Sequence, residues 1–170
     1  MPKTRAVSLA GKALPAESTV HTCCSLMRNP FKKILCPVDF DENSIAALDV
    51  ARDLAVDPDA KLYVVHVVRQ VMAGFPKELH SYPQTERPAR NKLQDITKQH
   101  LEGKVDYETV IRTGDPASVI LRSVEEFGVD SVVMATHGRT GLGHFLLGSV
   151  TEKVVRESPR PVLTIRGPAQ

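Results

Sequence analysis

Five short runs rich in Val, Ile and Leu alternate along the chain with segments whose apolar residues recur at helical spacing. The runs fall at 33–39, 61–68, 105–112, 129–134 and 161–165. Between the first two, Ile45, Leu48, Ala51 and Ala55 mark one face of a helix over 44–56, closed by Asp57-Pro58-Asp59 because proline cannot continue the hydrogen-bond ladder. Residues 69–86, with Gly74, Pro76 and Pro83, read as a long loop, and 86–101 as a polar helix ended by Gly103. In the third run Val105, Tyr107, Thr109 and Ile111 share one face of a strand. Asp115 then caps a helix with Pro116 at its first position and a stripe of Ala117, Ile120, Leu121, Val124 and Phe127. A last helix, marked by Val150, Val154 and Val155, ends near Ser158-Pro159. Strands separated by helices rather than tight turns imply a mostly parallel sheet covered on both faces. The fold class is therefore α/β, doubly wound, with five strands in one domain over 31–166, a flexible extension at 1–30 and a short tail at 167–170.

In such sheets the ligand site lies outside the carboxyl ends of the strands, where the strand order reverses. That directs attention to the segments after the first and fourth runs. The first ends in Asp39-Phe-Asp41-Glu-Asn43-Ser44, a cluster of helix-capping residues in which Asp39 is either a cap or a ligand contact. The fourth leads into Ala135-Thr-His137-Gly138-Arg139-Thr-Gly141-Leu-Gly143, then Gly148-Ser149-Val150-Thr151. Glycines let a ligand approach the backbone closely. A helix opening at Gly148-Ser149 aims unpaired N–H groups and a positive dipole end at an anion, and Ser149 and Thr151 add hydroxyls. The competing reading is a turn whose glycines relieve strain, with Ser149 as an ordinary cap. No Lys stands between Gly148 and Ser149, so this is not a Walker loop, and the dinucleotide GxGxxG spacing is absent.

Composition narrows the partners. Residues 1–33 carry six basic side chains against Glu17 alone, whereas 34–170 carry 16 basic and 19 acidic ones, so the folded body is mildly acidic. With aromatics at 5% and no Trp, the basic stacking face that nucleic acid requires is missing. No apolar run reaches the roughly 20 residues of a membrane span. Cys23, Cys24 and Cys36 give no disulfide framework, and the pattern fits a reducing cytoplasm. Cys36 reads as a buried thiol, and His21 with Cys23 and Cys24 offers too few ligands for zinc. For residues 1–30, two further readings stand beside the flexible tail: a transit segment, or a start placed too early with Met27 as initiator.

The run Lys32-Lys-Ile-Leu-Cys-Pro-Val-Asp39, His66-Val67, Gly114-Asp115-Pro116, Thr136-His-Gly138-Arg-Thr-Gly141 and Leu147-Gly148-Ser149-Val-Thr151-Glu152 together resemble the ATP-binding branch of the universal stress protein family over about residues 31–166. The family pattern of Gly, two residues, Gly, nine residues, Gly and Ser or Thr is met at Gly138, Gly148 and Ser149, with Ala135 in place of the first Gly. The resemblance implies a Rossmann-like, adenine nucleotide α-hydrolase-like sheet of order 3-2-1-4-5. It implies ATP contacts at Pro37, Val38 and Asp39, adenine held at Val67, and ribose and phosphate contacts at Met134, Ala135, His137 and Gly138. Gly148, Ser149, Val150 and Thr151 form the implied phosphate cradle. A homodimer through the last strand follows too, with Val162 and Ile165 at the seam. Mg²⁺ is an accessory expectation near Glu152, since it binds mostly through substrate phosphates. No nucleophile–base arrangement has a supporting context, so the expected function is an ATP-dependent regulator in the stress response rather than an enzyme. The alternatives are a slow ATPase or phosphotransferase, and a nucleotide-free dimeric protein-binding module.

Overall fold

The computed structural model describes residues 31–69, 82–136 and 147–166, with side chains of the middle segment described from 86 onward. Five strands form one parallel sheet: β1 (Lys33–Pro37), β2 (Lys61–Arg69), β3 (Asp106–Gly114), β4 (Ser131–Ala135) and β5 (Val162–Ile165). Their order is β3-β2-β1-β4-β5, as the family resemblance implies. Among the described residues four helices connect them: α1 (Glu42–Leu54), α2 (Tyr82–Leu101), α3 (Pro116–Glu126) and α4 (Ser149–Glu157).

The alternation of side chains along each strand divides the core in two. Ile34, Cys36, Leu62 and Val64 point to one face, where Leu48 and Ala51 of α1 and Leu93 and Leu101 of α2 cover them. Leu35, Val65, Val132 and Met134 point to the other, beneath Ile120 and Val124 of α3 and Val154 of α4. Of the expected stripes, Leu48, Ala51, Ala55, Ala117, Ile120 and Val124 are buried, Ile45, Leu121 and Phe127 are half-buried against the same cores, and Ala47 and Val119 bury as well. Val155 does not follow its neighbour Val154 inward and is 43% exposed. Cys36 is fully buried, and burial pushes its thiol far above the ordinary range, so it is inert packing. No described helix is long and apolar enough to cross a membrane.

Polar contacts fix the ends. Asp41 caps α1, accepting from the Ser44 amide at 2.8 Å, and Asp115 caps α3, accepting from the Ser118 amide at 3.0 Å. Gly128, at φ 57, closes α3 in the left-handed region. The Asp130 carboxylate accepts from the backbone amides of Lys32 and Lys33 at 2.9 and 2.8 Å, tying the entrance of β4 to that of β1. Most boundaries fall within two residues of expectation, among them α1 at 42–54 rather than 44–56 and β3 at 106–114 rather than 105–112, and the largest difference is at α2. Helix α2 begins at Tyr82, not 86, and thereby shortens the expected loop. Pro83 falls in its first turn, where a missing N–H is no loss, so it opens the helix instead of marking a loop.

Candidate functional site

Strands β1 and β4 are neighbours, yet their pairing ends at Leu35↔Val132. Beyond that point β1 continues to pair with β2 through Pro37↔Val65, and β4 with β5 through Ala135↔Ile165. The sheet therefore parts between β1 and β4 at its carboxyl end. This is also where the order reverses, because β1 leads outward to β2 and β3 on one side while β4 and β5 lie on the other.

On the β1 side of the opening, Val38 donates its amide to the Val65 carbonyl at 2.9 Å. Asp39 follows, its amide directed at Ser44 Oγ (3.3 Å) and its Oδ1 accepting from the Asp41 amide (3.3 Å). The cap of α1 is Asp41, so Asp39 is not the cap, and the choice left open by the sequence falls against that role. Burial raises the Asp41 carboxyl above its ordinary range, with the Asp39 charge adding to it and the Ser44 amide opposing it. Since Val65 turns its carbonyl toward β1, the two-residue repeat of a strand turns the backbone of Val67 the same way, just past the last β1 pairing.

On the β4 side, Met134 and Ala135 are buried at the strand end. Thr136 accepts from the Gly148 amide at 2.8 Å, so the chain leaves and re-enters this point across one hydrogen bond. Helix α4 starts there. Its cap is Gly148, at φ −59 and ψ 146, and no side chain caps the helix. That backbone conformation suits any residue, so glycine is not demanded by geometry. Ser, Asp or Asn would cap better, and the other two helices with a defined cap use Asp. The opening amides of Ser149, Val150 and Thr151 have no carbonyl partner within the helix. The Thr151 side chain is 4% exposed and its hydroxyl donates to the Ala135 carbonyl at 2.9 Å, pinning α4 to β4. Ser149 is exposed.

The opening thus gathers Pro37, Val38, Asp39, Val67, Met134, Ala135 and the Gly148–Thr151 turn at one end of the sheet. His137 and Gly138, with Arg139, Gly141 and Gly143, lie outside the described residues. Among the described residues no three His, Cys, Asp or Glu side chains group as a metal site, so a cation here would depend on ligand phosphates. The sequence did not single out the His66–Phe40 pair at this end: His66 Nδ1 lies 2.7 Å from the Val38 carbonyl oxygen, and the Phe40 ring stacks on the imidazole. The adjacency of Val38-Asp39-Phe40 to a strand-end histidine was the available signal.

These features define a class: a Rossmann-like α/β protein whose sheet parts at its switch point, with a helix beside it that no side chain caps. A model of the universal stress protein family matches residues 30–166. The chain is 30% identical over 154 residues to universal stress protein MJ0577 of Methanocaldococcus jannaschii, covering 80% of this chain and 95% of that one. The solved structure of MJ0577 superposes with a TM-score of 0.73 over 82% of this chain and 98% of that one. A universal stress protein in complex with cAMP shares the fold at 22% identity and a TM-score of 0.59, over 80% of this chain and 97% of that one. One from Archaeoglobus fulgidus in complex with dAMP does so at 18% identity and 0.60, over 81% and 99%. The chain belongs to the universal stress protein family.

Proposed function

We propose that this chain is a cytoplasmic regulatory protein of the stress response whose ligand is an adenine nucleotide, ATP in particular, with occupancy setting its conformation or choice of partner. The observation that carries this reading is Gly148: a helix cap without a side chain, in a backbone conformation that does not need glycine, bonded to Thr136 just past the end of β4. A carboxylate or hydroxyl cap there would spend the amides that an anion otherwise receives. Two members of the fold carry cAMP and dAMP, which supports adenine as the base. In this reading the backbone of Val67 takes adenine, with Pro37, Val38 and Asp39 beside it. Met134, Ala135, His137 and Gly138 line ribose and phosphate. The amides of Ser149, Val150 and Thr151 take the phosphates, and Mg²⁺ enters with them. In this reading the site supplies binding and orientation.

Equilibrium dialysis with ATP tests it on the unaltered protein and on Gly148→Asp. The variant keeps the fold, because Asp is a good cap at this φ and ψ, but sets a fixed carboxylate against the phosphates. Binding by the unaltered protein and a loss of about tenfold or more in the variant is expected, since one repelled charge at a helix start is worth about 1–2 kcal/mol. Equal binding by both proteins sinks the cradle.

A further inference from the structure

The carboxyl end of β1 is held from an unexpected side. His66 sits on β2, one residue before Val67, and its Nδ1 is 2.7 Å from the carbonyl oxygen of Val38. A carbonyl oxygen only accepts, so the proton of this pair is on Nδ1. That carbonyl belongs to the peptide linking Val38 to Asp39, so the imidazole fixes the plane from which the Asp39 side chain departs. Phe40 comes next and holds φ at 71, a region that a bulky residue enters only when surrounding contacts sustain it. Those contacts are visible. The Phe40 ring lies on the imidazole with centroids 3.9 Å apart and planes 22° apart, and Lys92 Nζ of α2 lies 4.9 Å from the Phe40 ring centroid. The hydrogen bond and the strained Phe40 thus meet at the His66 side chain, with Lys92 on the Phe40 ring. That side chain bridges the two strand ends on the β1–β2 side of the crevice.

We propose that His66 is the positioning residue of this site: by donating from Nδ1 to the Val38 carbonyl it sets the Val38–Asp39 peptide, just past β1, against the Val67 backbone on β2. This inference rests on the nucleotide reading above and adds the device that spaces its two strand ends. His66 does not touch the ligand; it acts through Val38 and Asp39. Phe40, stacked on the ring, holds the imidazole in the plane that the bond requires.

Two substitutions separate the bond from the ring. His66→Asn puts an amide N–H near the place of Nδ1 and keeps a donor without the ring. His66→Phe keeps an aromatic surface for Phe40 and removes the donor. ATP binding measured by dialysis on the full chain is expected to weaken about tenfold in His66→Phe and to recover most of that loss in His66→Asn. Undiminished binding by His66→Phe overturns the proposal, and so does an equal loss in both variants, which would assign the effect to ring packing. A second readout needs no nucleotide. Proton–nitrogen NMR of the imidazoles in the unliganded protein, with the His66 signal taken as the one missing in His66→Asn, is expected to show the Nδ1–H tautomer. An unprotonated Nδ1 in neutral His66 overturns the bond itself. If the unaltered protein binds no nucleotide, the function fails, and the tautomer signal distinguishes that failure from a missing hydrogen bond.

Discussion

The Thr151 hydroxyl donates to the Ala135 carbonyl at 2.9 Å where both residues are buried. From the sequence it was a hydroxyl for phosphate; in the fold its proton joins the start of α4 to the end of β4. Thr151→Val keeps the shape and removes the donor, leaving a buried carbonyl without this partner. The expected loss is about 1–2 kcal/mol of stability in the unliganded protein, read as a lower urea midpoint. A hydroxyl that served only a ligand would leave the midpoint unchanged. The contrast with Gly148 and Asp39 shows what single residues reveal in advance. Gly148 and Asp39 draw notice only by standing next to the strand ends of the expected switch point, since glycine and aspartate are both ordinary at a helix start. Thr151 with Ala135, and His66 with Val38, are pairs 16 and 28 residues apart. Their meaning depends on the register of whole elements, which no local pattern carries.

The helices behave as their local chemistry dictates, and α3 allows a test. Asp115 accepts from both the amide and the hydroxyl of Ser118, at 3.0 and 2.7 Å. These bonds, the Ser118 hydroxyl first, hold its carboxyl below the ordinary range, with Lys153 and Arg69 adding to the effect. A carboxyl lower in the folded than in the unfolded chain stabilises above the unfolded value, and that stabilisation disappears as pH falls through the folded value. Asp115→Ala is therefore expected to cost about 1 kcal/mol at neutral pH. The gap to the unaltered protein should narrow only in the acid range, below the ordinary Asp value. Urea midpoints measured against pH check it, and curves that stay parallel into strong acid contradict the role of the charge. Capping and apolar stripes made α1 and α3 legible because both signals lie within a few residues. The start of α2 was not legible, since Pro83 near a helix start and Pro83 in a loop look alike until the strands fix where the helix begins.

At the scale of the whole chain, alternating strands and helices establish a parallel sheet but leave its order open; the order β3-β2-β1-β4-β5 came from family resemblance and is the order observed. The parting of β1 from β4 is a property of that order and of no single segment. The order also puts β5 at an edge, with only β4 beside it among the described residues. Val162 packs toward the α3–α4 core and Ile165 toward the α1–α2 core, so at a seam through β5 both contribute mainly backbone. Leu163, 44% exposed on β5, is the apolar side chain left facing outward there, and Val155 of α4 is 43% exposed. An apolar edge strand of this kind pairs readily with another copy, and a lysine on it blocks such pairing by placing a solvated charge in the seam. We expect the unaltered protein to sediment as a dimer and Leu163→Lys to shift it toward monomer. The cost to the fold should be small, because the substituted side chain is already half in solvent. The same variant should still bind ATP, since the crevice is built between β1 and β4 within one copy. A monomeric unaltered protein would remove the seam, and loss of nucleotide binding along with the dimer would show that a second copy helps shape the site.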